Sequence, residues 1–168
     1  MLETIRLLYD YTAWADTKAL DAVSKLTPEQ WTQDLGSSLK SARDTVVHIA
    51  SAQGIWLSRW KGDSPKGMWA AADFPTPDSI RERWLPLRAE LAAFVVEQTE
   101  ASLQQPLSYR NLKGEPVTFP LGPLMLHVAN HSTYHRGQIT TLLRQLGAQP
   151  VSTDLVLYCL EKEKAKKA

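Results

Sequence analysis

Three of the chain's four histidines fall in one stretch, HVANHSTYHRGQ at residues 127–138, at intervals of four. Neutral imidazole is the commonest protein ligand for divalent metals, so the type and the spacing both raise metal chemistry. On an α-helix, four residues advance ~6 Å and turn ~40° beyond a full revolution, which sets His127, His131 and His135 climbing one face. Adjacent members of the series can share an ion at ~2.0–2.1 Å per nitrogen, as in HExxH zinc helices. His127 and His135 start ~12 Å apart along the axis, so the three are not expected to serve one ion together.

A single helical face cannot surround a metal, and one histidine remains to complete the set. His48, in DTVVHIAS, falls in the middle of a second expected helix, where an antiparallel bundle would bring it opposite the motif helix. Spacing alone leaves two ligand sets open: His48 with His127 and His131, or His48 with His131 and His135. Three histidines with an open coordination position suit a catalytic centre better than a closed structural one. Against this stands the plainer reading, in which core histidines are satisfied by hydrogen bonds and bind nothing.

The positioning elements follow from periodicity and punctuation. Helix 1 is expected from Leu2 to about Leu26, and Thr27-Pro28-Glu29-Gln30 restarts the chain as a short helical turn. Ser41, three before Asp44, opens helix 2, expected over Ala42 to Trp60. Residues 61–77, rich in Gly, Pro and Asp, read as a long connection, in which Met68, Trp69 and Phe74 either cover a pocket or pack on the helices. Thr76 begins helix 3, expected to reach about Gln105 with a kink or break at Pro86. A peripheral hairpin around Lys113-Gly114 comes next, then helix 4 from Leu121–Pro123 to Leu146, ended by Gly147. A short last helix spans about Ser152 to Lys164. The fold class is therefore all-α, one domain over residues 1–168.

Composition narrows the function classes. The chain has 168 residues, 43% of them hydrophobic, with 19 Lys and Arg against 18 Asp and Glu, so no global field draws nucleic acid or an anionic membrane. No run approaches the ~18 apolar residues of a membrane span. One cysteine, Cys159, allows no internal disulfide, and the start MLETIRLLYD lacks the form of a signal peptide, which points to a cytoplasmic protein. No glycine-rich phosphate loop or GxSxG elbow is present.

The segment HVANHSTYHRGQITTLLRQLG resembles the signature helix of the DinB-like (DinB/YfiT) superfamily of metal-dependent bacterial proteins. YTAWAD at 11–16, SARDTVVHIASAQGIWLSRW at 41–60 and TDLVLYCL at 153–160 resemble its other helices in order. The resemblance implies a four-helix bundle of up-down-down-up topology with a long crossover between helices 2 and 3. It also implies a divalent ion, nickel or zinc, held by one histidine of helix 2 and two of the signature helix, here His48, His131 and His135. His127 is left to line the pocket or pack. Characterised members of the superfamily include thiol-dependent enzymes, among them bacillithiol S-transferases and a mycothiol isomerase, and many members form dimers.

The expectation is a metal-dependent enzyme, a thiol S-transferase or a hydrolase, acting on a small molecule with a low-molecular-weight thiol as partner, and a homodimer. A coordinated thiol is deprotonated, and coordinated water falls to a pKa near ~7, so one centre could serve either chemistry. The alternatives are a non-catalytic metal-binding or stress-related protein acting through partners, and a pure interaction module. Asp44, one turn before His48, is a candidate to orient its imidazole, although its place after Ser41 favours a helix cap. Arg136, one position past His135, points away from the ion, toward an ion pair or a helix contact.

Overall fold

The computed structural model describes residues 1–167; Ala168, the last residue of the expected domain, lies outside them. The described residues are mostly helical, with seven α-helices and a small two-stranded sheet. In chain order these are α1 (Leu2–Val23), α2 (Pro28–Thr32), α3 (Ala42–Trp60), α4 (Pro77–Val96), α5 (Glu100–Gln104), β1 (Pro106–Arg110), β2 (Pro116–Pro120), α6 (Leu121–Gln145) and α7 (Leu155–Ala165). None is long and apolar enough to cross a membrane.

Helix starts are set by side-chain caps. Thr27 and Gln30 form a reciprocal capping box at α2, and Ser41 Oγ accepts from the Asp44 amide at α3. The connection from α3 to α4 contains a 3-10 turn, Ala71–Asp73, and is packed down. Phe74 is buried, its carbonyl accepts from the Trp31 indole, and the Trp69 amide donates to Ser51 Oγ.

One expectation needs correction. Helix 3 does not run to Gln105: it continues through Pro86 but ends at Val96, and a new capping box at Thr99 and Ser102 starts α5. A Thr that accepts from the third amide onward offers a fresh start, and this outweighs the apolar spacing that had joined the two segments. The hairpin is peripheral as expected, with no strand residue buried, but it leans on α3. Its strands pair from Pro106 with Pro120 to Arg110 with Pro116, and Tyr109 lies edge-on to Trp56 of α3, with ring centroids 5.2 Å apart.

α6 packs against both α1 and α3, and α4 packs against the same two helices. Among the described residues the interior falls into three apolar clusters, one around Leu20, Trp31, Ile49, Trp84 and Leu143, a second around Ile5, Trp60, Leu103 and Met125, and a small third of Tyr11, Ala15 and Tyr158. A fully buried polar layer joins α1, α3, α4 and α6. Asp16 accepts from Arg136 at 2.7 Å and from Gln53 at 2.8 Å; Gln53 also donates to Ser132 and accepts from the Trp84 indole. Asp16, Gln53, Ser132 and Arg136 are each at most 1% exposed, and burial of a charge pair is tolerated when both partners are hydrogen-bonded.

Candidate metal centre

Ser132 and Arg136 face the buried layer, so His131 and His135, one position earlier in each case, turn toward α3. There they meet His48. One ring nitrogen from each of His48, His131 and His135 lies within 4.8 Å of the others, and His48 Nε2 is 3.1 Å from His131 Nε2. Two nitrogens ~2.1 Å from one ion are ~3.0 Å apart at a right angle and ~3.4 Å apart at a tetrahedral angle, so this pair already has ligand spacing. Without an ion, one of the two nitrogens must carry a proton and donate to the other, since two lone pairs at that distance repel.

The rings are held as ligands should be. His135 Nδ1 donates to Gln138 Oε1 at 2.7 Å, which leaves its Nε2 as the lone-pair nitrogen. Gln138 Nε2 reaches Ser38 Oγ at 3.4 Å, anchoring the amide in that orientation. Burial, followed by the neighbouring His135, His48 and His127, lowers the pKa of His131 to about 4. Burial and then His135 lower that of His48 as well. Both stay neutral at physiological pH, the state a metal requires. The residues present therefore fit a three-nitrogen site for a divalent ion.

Asp44 serves the helix start. Its carboxylate accepts from Ser41 Oγ at 2.7 Å and lies 3.5 Å from Arg43 Nε. His127 stands outside the triad, its ring 5.8 Å from that of His131 and edge-on to Trp56 at 5.3 Å. Burial and then the positive Arg59 lower its pKa. Of the two ligand sets left open by spacing, the structure brings together His48, His131 and His135. Of the two roles open to it, Arg136 takes the ion pair, with Asp16. The role of Gln138 was not read from sequence, although its position three after His135 puts it on the same helical face.

A family model described as the DinB family matches residues 1–165. The chain belongs to the DinB family. Protein DinB of Bacillus subtilis (strain 168) is 28% identical over 167 residues, covering 94% of this chain and 96% of that one. The crystal structure of a DinB-like protein from Bacillus cereus ATCC 10987 superposes with a TM-score of 0.64 at 20% identity, over 83% of this chain and 91% of that one. At that identity the likeness shows the fold. DinB family membership and the three-histidine cluster agree with a metal-binding protein of this family.

Proposed function

We propose that the protein is a metal-dependent enzyme in which His48, His131 and His135 hold Ni²⁺ or Zn²⁺ and leave positions open for a small-molecule substrate. The convergence of the three imidazole nitrogens carries this reading. A divalent ion there would supply Lewis acidity, enough to deprotonate a thiol or to bring water's pKa near ~7, so the reaction class is thiol transfer or hydrolysis. The chain's own contributions are to keep His48 and His131 neutral, to fix His135 through Gln138, and to hold α6 in rotation through Arg136 and Asp16.

The arrangement of the long helices is read as an up-down-down-up four-helix bundle of α1, α3, α4 and α6. The pairs Tyr9 with Met125 and Asp16 with Arg136, rising together, support parallel α1 and α6. His48 beside His135 and Trp56 beside His127 support an antiparallel α3. Arg88 with Thr17 and Arg81 with Asp21 do the same for α4 relative to α1. A cytoplasmic homodimer belongs to the same reading.

Elemental analysis of untagged protein beside His131→Ala, after equal exposure to nickel and zinc, tests it. About one ion per chain, lost in the variant, is expected. Metal in neither protein overturns the proposal. With the ion present, turnover of electrophiles only when a low-molecular-weight thiol is added selects transfer. Thiol-independent cleavage of esters or amides selects hydrolysis, and neither activity leaves a non-catalytic metal binder.

A further inference from the structure

Two arginines are buried among the described residues, Arg136 and Arg59. Arg136 is neutralised by Asp16, whereas Arg59, 5% exposed, has no ion pair or side-chain hydrogen bond among them, and its Nε is buried without a partner. Its guanidinium carbon sits 4.7 Å from the ring centroids of both Trp56 and Tyr109. Aromatic faces attract a cation but do not neutralise it. Burial lowers its pKa, and Tyr109 is the one titratable neighbour that opposes the shift. A cation placed among aromatics with no carboxylate beside it is a half-built site for an anion.

The surroundings supply the rest. Trp56, Tyr109, Val117, Phe119, Leu124 and His127 line an apolar groove between α3, α6 and the hairpin, and Arg59 is not in that lining but stacks on its two rings Trp56 and Tyr109. His127 forms its inner end, next to His131. Arg59 follows His48 by eleven residues, three turns plus ~20° on the same face of α3 and ~16 Å along the axis. Helical side chains lean toward the N-terminus, which leaves roughly 10 Å between the metal-site histidines and the guanidinium.

We infer that this groove is the substrate subsite of the proposed centre, taking a carboxylate-bearing molecule with an apolar or aromatic body, its carboxylate anchored by Arg59 and its reactive end directed at the histidines. The inference rests on the proposed function for the reactive end, while the anion subsite stands by itself. Arg59 is a binding residue, and Trp56 and Tyr109 position it and form the apolar wall.

The test uses full-length protein and a matched pair of probes, 3-phenylpropionate and its uncharged amide, titrated by ligand-observed NMR. Because a carboxylate can also ligate a metal, wild type and His131→Ala are run side by side with metal content measured. Both proteins are expected to bind the carboxylate at least fivefold more tightly than the amide. Arg59→Met is expected to abolish that preference without changing metal content or the melting temperature by more than a few degrees. Equal binding of the two probes by wild type, a preference that survives Arg59→Met, or one that vanishes in His131→Ala overturns the inference. If Arg59→Met does not fold, Arg59→Lys, which keeps the charge, must retain at least a twofold preference for the carboxylate. Metal content reports separately on the proposed function, so absence of metal with the preference intact would sink that reading and leave the subsite.

Discussion

At His131, low dielectric and three neighbouring imidazoles act in the same direction, disfavouring the proton. In an unfolded chain this residue titrates near 6.5, and in the folded protein near about 4. Between those values the unfolded state binds the extra proton, so stability of the metal-stripped protein is expected to fall as pH drops below 6.5 and to level off near 4. His131 is only partly buried, and with solvent screening the loss from this residue is about 1 kcal/mol. Urea denaturation at pH 7 and pH 4.5 measures it; a pH dependence identical in His131→Ala would contradict the assignment. His131→Ala is expected to abolish stoichiometric metal binding and His127→Ala to leave most of it, by elemental analysis, with equal losses meaning that the wrong pair was assigned. Gln138→Leu removes the acceptor of His135 Nδ1–H and is expected to weaken metal affinity ~10–100-fold without unfolding, by competition with a chelator. The histidine face was legible because four-residue spacing has a fixed meaning on a helix, while the choice between the two candidate sets came from the family resemblance and not from spacing. Gln138 was not, because an amide flanking a histidine has no distinctive sequence signal.

Among the elements, the α3 and α6 boundaries were readable almost to the residue, since Ser41 and Gly147 mark them with local chemistry. Gly147 has φ +68° and no heavy atom within 4 Å of the position a Cβ would occupy, so Gly147→Ala meets backbone strain and no clash. The cost is expected to be about 1 kcal/mol in chemical denaturation. The break between α4 and α5 escaped notice because apolar spacing persists across it. The hairpin was expected and lies at the surface, but its contact with Trp56 escaped because strand-prone residues reveal pairing and not what the sheet will lean on. The link between α1 and α6 is a non-local property of the same kind. Asp16 and Arg136 are 120 positions apart, and no periodicity joins them. Asp16→Ala leaves a guanidinium buried without its partner, a cost of about 3–5 kcal/mol in thermal or urea denaturation. The double variant Asp16→Leu with Arg136→Met is expected to cost clearly less than the Asp16→Ala single.

For the whole molecule, the three histidines bridge two long helices, His48 and His131 lying 83 residues apart in sequence with their Nε2 atoms in contact. An ion held there binds the folded state alone, so zinc or nickel at ~100 times Kd adds ~2.7 kcal/mol of stability. A rise in melting temperature that EDTA reverses, and that His131→Ala lacks, is the expected result; a metal-independent melt would contradict the bridge. What the sequence could not convey is how the interior divides. Three apolar clusters share the hydrophobic burial, and the polar layer of Asp16, Gln53, Ser132 and Arg136 lies among α1, α3, α4 and α6. That layer works as a key in a lock. Sliding α6 by one turn, ~5.4 Å, would drive a guanidinium into hydrocarbon, so the rotation and height of the face carrying His131 and His135 are fixed independently of the surrounding oily residues. Apolar positions can consequently drift by volume-conserving exchange, and the groove walls can change with them, while the relative placement of the three histidines is kept.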